Sequence, residues 1–303
     1  MSRLLVEPYL IELVRRMEAE GFPLIVAGGL GLHLKRRWVG QQVREHGRKT
    51  LMAVVPEARV TSDIDVFMQM EVFSREVKDG GSVTRFRQAL AGLAYQPVKG
   101  AEYFQYKRDL AEGEFVKVDL HTRLPTEGES VVVKYNKPRV GRKRQPTLKL
   151  HAYGTPEAFA IDEGSQTLPL VGLDPDGQSF SGSVRVPHPF AALCMKIQAA
   201  IDFEELPAAE QRTAKHAVKQ KHAFDVYLLL AMLDLQEVDE IGVFTRAYAA
   251  EPRFARIQGG MRGIFGAPDS AGCRTIRRQA QHIAEGLELE RFTAVLGELF
   301  LRG

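Results

Sequence analysis

Cysteine is scarce: Cys194 and Cys273 are the two in a chain of 303 residues. A disulfide-stapled secreted scaffold or a Cys-based zinc site needs more of them at closer spacing. Cys194 sits in an apolar helical pattern of the kind that buries a thiol. Long apolar runs are also missing, and none approaches the ~20 residues that span a bilayer. At the N-terminus Leu5, Val6, Tyr9, Leu10, Leu13, Val14 and Met17 follow helical spacing but are interrupted by Glu7, Glu12, Arg15 and Arg16. That pattern predicts an amphipathic helix over 4–20, not a signal peptide. There is no internal repeat and little net charge, +3 in all. These absences predict a cytoplasmic protein without a membrane segment. With 45% apolar and 26% charged residues, the chain has an ordinary globular composition, and its length suffices for one large or two modest domains.

What is present is concentrated in residues 24–68. An apolar run, Leu24 to Ala27, meets Gly28-Gly29 and is followed by a helical-looking stretch, Leu30 to Trp38. The order reads as strand, tight turn, helix. Glycine there lets the backbone close on a bulky ligand, and a helix N-terminus suits a phosphate. Farther on, residues 60–67 read as a strand whose period of two puts Asp63 and Asp65 on one face and Ile64 and Val66 on the other. Two carboxylates side by side repel unless a cation lies between them. Taken singly, each signal has an ordinary alternative: glycines end helices, and exposed strand edges carry acidic pairs.

The rest of the chain supplies context. Residues 35–58 are basic (Lys35, Arg36, Arg37, Arg44, Arg48, Lys49) with Glu45 the only acid before Glu57, which suits a solvated loop or a phosphate-contacting arm. A helix is expected over 82–94 and strands near 102–108 and 114–121. In the second strand Phe115, Lys117, Asp119 and His121 share one face. His121 is open to a ligand or base role, but a strand-end histidine paired with its neighbours is the simpler reading, since Mg²⁺ is content with oxygen ligands. Residues 134–149 carry seven cations and no acid, among them Arg142, Lys143 and Arg144, as a solvated loop or a nucleic-acid contact. Asp174-Pro175-Asp176-Gly177 reads as a hairpin turn. From Pro189 the pattern is helical, with later helices expected at 238–249, 272–286 and 288–301. The expected domains are 1–187 and 188–303.

The order strand, Gly-Gly, helix, then a strand carrying Asp-Ile-Asp resembles the nucleotidyltransferase superfamily typified by DNA polymerase β. The wording Ala-Gly-Gly-Leu with Thr-Ser-Asp-Ile-Asp-Val-Phe looks most like its AbiEii toxin branch. The resemblance implies an α+β fold, a mixed sheet flanked by helices followed by a helical C-terminal region. It implies that Gly28 and Gly29 hold the triphosphate of an NTP, with Thr61 and Ser62 beside it. Asp63 and Asp65 would bind Mg²⁺ or Mn²⁺, and Asp119 would be the third carboxylate. By position, Lys196 matches the branch's helical lysine, a catalytic role, while Lys221 and Asp225 match its Lys-x-x-x-Asp helix beside the nucleotide. Two departures stand out: the interval 35–58 is longer than relatives use, and His222 stands where many carry an acid. The implied activity is transfer of NMP from an NTP to an acceptor. RNA, such as a tRNA end, is favoured by the basic runs, with a toxin role opposed by a cognate antitoxin. A protein hydroxyl or a small molecule is the alternative acceptor, and a catalytically silent nucleotide-binding or antitoxin-like module is the alternative class.

Overall fold

The structure is a computed structural model that describes residues 6–59, 61, 63–79, 84–142, 150–213, 218–281, 283 and 286–301. Ser62, Lys143 and Arg144 lie outside the described residues. Two compact units can be distinguished: Met1–Lys35 with Arg59–His188, and Arg36–Ala58 with Pro189–Gly303. Residues 36–58 therefore group with the helical part of the chain.

The first unit is built on a mixed ten-stranded sheet. Its strands are β1 (Leu24–Val26), β2 (Asp63–Met68), β3 (Gln96–Pro97), β4 (Gln105–Asp109), β5 (Phe115–Thr122), β6 (Val133–Asn136), β7 (Arg139–Arg142), β8 (Ala152–Gly154), β9 (Ser165–Leu173) and β10 (Ser179–Pro187). The main order is β6-β7-β8-β5-β2-β1-β10-β9, with the β3–β4 pair attached through β4 to β5. Helices α1 (Glu7–Ala19) and α2 (Gly28–His46) flank β1 in sequence, and α3 (Met70–Asp79) and α4 (Arg85–Gly92) follow β2. The expected mixed sheet with flanking helices, followed by a helical region, is what the chain forms. α1 buries Leu10, Leu13, Val14 and Met17, the stripe its spacing predicted. At the turn of the β9–β10 hairpin, Asp174 Oδ1 accepts from the backbone N–H of Asp176 (3.1 Å) and Gln178 (2.8 Å). Arg15 donates to its other oxygen at 2.7 Å.

Two elements differ from the sequence reading. The first half of the basic interval at 35–58 is helix, because α2 continues to His46, and several of its cations serve internal contacts. Buried Lys35 donates to Gln166 Oε1 at 2.6 Å. Arg36 donates to the carbonyls of Pro56 and Val55 and to Glu57. Arg48 pairs with Asp234 at 3.0 Å and Glu237 at 2.6 Å. The interval is thus helix up to His46 and irregular from 47 to 58, and it is not uniformly solvated. Second, 134–142 is not an open basic loop but a β6–β7 hairpin, with Lys134 opposite Gly141 and Asn136 opposite Arg139.

The second unit is helical: α5 (Pro189–Glu204), then principal helices at Lys221–Ala231, Leu235–Ala247, Pro252–Phe265, Ala271–Gln279 and Leu289–Leu301. Phe190 anchors it, its ring 5.4 Å from Phe244, 5.8 Å from Tyr248, 5.4 Å from Phe254 and 5.9 Å from Phe300. Leu51 N–H donates to the Leu233 carbonyl at 2.6 Å, which with the Arg48 pairs ties 36–58 to these helices. Among the described residues no helix is long and apolar enough to cross a membrane.

Candidate active site

The site forms where β2 and β5 lie side by side. These strands are parallel, with Asp63 opposite Lys117, Asp65 opposite Asp119 and Phe67 opposite His121. Alternation buries Ile64, Val66, Val116, Val118 and Leu120 on the other face. Asp63, Asp65, Lys117, Asp119 and His121 are left together on the half-buried face. Parallel pairing in this register makes neighbours of carboxylates more than fifty residues apart in sequence.

Within that row the groups divide. One ligand atom from each of Asp65, Asp119 and His121 lies within 4.8 Å of the other two. His121 Nε2 is 3.6 Å from Asp65 Oδ1. The Asp63 carboxylate goes instead to Lys117, whose Nζ is 3.4 Å from Asp63 Oδ2 and 3.1 Å from Asp119 Oδ2. Burial pushes the Asp119 carboxyl above its usual range; Lys117 pulls it down and Asp65 pushes it up further. Two buried atoms of the cluster, Asp119 Oδ1 and His121 Nε2, have no hydrogen-bond partner among the described residues. Buried carboxylate and imidazole atoms are costly in that state. A divalent cation is the group they fit, because it satisfies both and neutralises the carboxylates together.

Gly28 and Gly29 open α2 beside this row. Gly28 has φ +61, and a Cβ there would lie 1.8 Å from Asp65 Oδ2. Its glycine is therefore required by the Asp65 carboxylate as well as by its left-handed backbone. A Cβ on Gly29 would meet Thr61 Cβ at 3.2 Å. The Thr61 hydroxyl accepts from Asp63 N–H at 3.2 Å, fixing the start of β2. The first intrahelical bond of α2 runs from Gly31 N–H to the Ala27 carbonyl at 2.9 Å. The N–H groups of Gly28, Gly29 and Leu30 thus precede that ladder, at the positive end of a nineteen-residue helix.

Lys196, Lys221 and Asp225 belong to the second unit. There Lys196 Nζ is 2.8 Å from Asp225 Oδ2, with His222 Nδ1 3.8 Å from the same oxygen. Sequence spacing places Lys221 and Asp225 on one helix face; the structure adds a bond to Asp225 from Lys196 on α5. The Asp225 side chain is 5% exposed and that of Lys196 14%, so this is a buried ion pair. Removing one partner strands the other charge. Asp225→Ala is expected to cost about 3–5 kcal/mol in denaturant unfolding, with Lys196→Met plus Asp225→Leu recovering most of it. A loss below about 1 kcal/mol would mean that Lys196 finds solvent readily.

Arg142 ends β7. The sequence reading passed over Lys117 as a site residue, although its place in the alternating row was visible. It also missed Arg123, which holds the end of β5 by donating to both oxygens of Glu129 at 2.7 Å and to Asp162 at 2.7 Å.

No family model matches the chain, and neither does any curated protein. Among solved structures, two are similar to it. The antibiotic-resistance factor ANT(2'')-Ia shares 13% identity, over 84% of this chain and 98% of that one, at a TM-score of 0.32. An antigenic nucleotidyltransferase-like protein from Paracoccidioides brasiliensis shares 12% identity, over 82% of this chain and 90% of that one, at a TM-score of 0.35. At those scores neither likeness carries the functional argument, which rests on the residues of β2, β5 and α2.

Proposed function

We propose that the chain is a metal-dependent nucleotidyltransferase that moves NMP from an NTP to an acceptor hydroxyl. The observation that carries the reading is the convergence of Asp65, Asp119 and His121 within 4.8 Å, beside a helix start whose first glycine packs on the Asp65 carboxylate. Asp65 and Asp119, with Asp63 at the same strand pair, would hold Mg²⁺ or Mn²⁺. Bound there, the cation would neutralise charge on the oxygens of an in-line phosphoryl displacement. The chain's own groups have separate tasks. The N–H groups at the start of α2 receive phosphate oxygens. Asp119, the third carboxylate of the row, accepts the proton of the acceptor hydroxyl. Lys117 holds Asp63 and Asp119 in place and offsets their charge.

The basic run at 134–149 supports RNA as the acceptor, and the resemblance to the AbiEii branch supports a toxin opposed by a cognate antitoxin. Incubation with each labelled NTP, divalent cation, and either total RNA or RNA-free lysate tests the acceptor. Labelled RNA is the expected product; labelled protein or small molecule would replace it. In the same assay, substitution of Arg142, Lys143 and Arg144 by Ala is expected to lower RNA labelling and flatten its salt dependence while NTP binding is retained. Equal labelling at every salt concentration would remove that stretch from the RNA contact.

One observation favours a second reading, a catalytically silent nucleotide-binding module: Lys117 already supplies a positive charge between Asp63 and Asp119. Lys117→Met separates the two. An enzyme should retain cation binding in this variant, whereas a silent module that relies on the internal ammonium should lose stability and gain no cation affinity.

A further inference from the structure

Resting on the reading above, we infer that His121 is a direct ligand of the catalytic cation, so that the site takes a first-row transition-metal dication of the Mn²⁺ class in preference to Mg²⁺. The imidazole is held from several sides. Phe67, its partner across the parallel ladder, stacks on it with centroids 5.1 Å apart and planes 26° from parallel. Tyr153 packs edge-on at 5.5 Å. Nδ1 lies 3.3 Å from Thr155 Oγ1. In the tautomer that donates from Nδ1 to that hydroxyl, the Nε2 lone pair is the one turned toward Asp65, 3.6 Å from Oδ1. An outer hydrogen bond that fixes the ring and frees the other nitrogen is the usual support of a metal-bound histidine.

The spacing agrees. Ligands ~2.1 Å from one cation lie ~3.0 Å apart when adjacent and ~4.2 Å apart when opposite. The 4.8 Å within which the three ligand atoms fall therefore closes onto a cation through small side-chain rotations. Without a cation or a proton, a lone pair would face a carboxylate across a buried gap. The selectivity follows from ligand type. Mg²⁺ prefers oxygen and near-ideal octahedral geometry, whereas imidazole nitrogen suits transition metals. Carboxylates accept Mg²⁺ and Mn²⁺ alike, and the imidazole nitrogen widens the margin in favour of the transition metal.

The test uses the full chain with Mn²⁺ alone, then with Mg²⁺ as competitor. Pulsed electron paramagnetic resonance of bound Mn²⁺ should show coupling to a directly ligated nitrogen. Labelling histidine with ¹⁵N should change that coupling without any substitution, and His121→Gln should abolish it. Mg²⁺ should displace Mn²⁺ from the parent only at more than ten times its concentration, a margin that His121→Gln should shrink. Mn²⁺ bound with no nitrogen coupling, coupling that persists in His121→Gln, or no Mn²⁺ binding would overturn the inference. The outcome is separable from the activity itself. Nucleotide transfer with Mg²⁺ and no nitrogen coupling would leave the function standing without this ligand; nitrogen-coupled Mn²⁺ without transfer would do the reverse.

Discussion

Asp65→Asn and Asp119→Asn are expected to lower nucleotide transfer by at least about 10³-fold while melting no lower than the parent. Each removes a charged ligand of the cation. The loss of several kcal/mol of charge stabilisation in the transition state corresponds to that factor, at tenfold per 1.36 kcal/mol. Stability should move the other way, because the cluster places carboxylates close together in a half-buried row. For Asp119 the sign can be worked out. Burial, the dominant cause, raises its carboxyl above the usual value, so folding favours the neutral form. That contribution is fully present below the ordinary carboxylate value and is lost as pH rises through the raised one. At neutral pH, in chelator, ionised Asp119 therefore costs stability, and asparagine removes the cost while Lys117 keeps Asp63 as a partner. The melting gain of Asp119→Asn should be greatest at neutral pH and shrink as the pH falls below the carboxylate range. A variant that melts lower at every pH would show Asp119 to be a structural acid whose pair with Lys117 outweighs its burial.

Gly28→Ala should cost both stability and cation binding, for two separable reasons. The φ of +61 is one that side chains rarely adopt, a strain on the order of 1 kcal/mol. The new Cβ would also lie 1.8 Å from Asp65 Oδ2, so the carboxylate must swing away. Gly21 provides the control: its φ is +77, with nothing within 4 Å of an added Cβ. Gly21→Ala should show the backbone cost alone. Gly28→Ala should show that cost together with a loss of divalent-cation affinity and transfer approaching that of Asp65→Asn. Because both changes act through one carboxylate, adding Asp65→Asn to Gly28→Ala should lose little more activity than either alone. If Gly28→Ala behaves like Gly21→Ala in every assay, the approach to Asp65 has no functional weight.

These variants rest on features that were unequally visible in the sequence. The alternation of β2 and β5 was legible because one face of each is a run of Ile, Val and Leu. The β9–β10 turn was legible because Asp-Pro-Asp-Gly has a mechanism of its own. Register was not. Nothing local says that Asp65 lies opposite Asp119 or that Lys117 faces Asp63, since a parallel pairing across an intervening stretch is decided by the whole sheet. The same holds for His121, whose role depends on Thr155 and Phe67 arriving from elsewhere.

Helices were missed where polar residues mask the period. α3 carries a buried Glu76 that accepts from Phe86 N–H and Arg85, which looks in sequence like a break in the apolar stripe. The helix Pro252–Phe265 contains Gly259, Gly260 and Gly263 and several arginines, poor helix formers or solvated residues; packing of Phe254, Ile257, Met261 and Ile264 overrides them. The pairing of Asp225 with Lys196 was hidden for the same reason as the strand register. An i to i+4 pair can be read along one helix, but a contact between two helices cannot.

The most direct measurement of the central claim follows two labels of the same nucleotide. Protein, divalent cation and acceptor are incubated in parallel with NTP labelled at the α- or the γ-phosphate. The expected result is that the α label becomes fixed to the acceptor and the γ label appears as pyrophosphate. Both should stop in chelator and in Asp65→Asn. Transfer of the γ label to the acceptor, or fixation of the α label that persists without divalent cation or without the Asp65 carboxylate, would contradict the assignment of nucleotidyl transfer to this row of side chains.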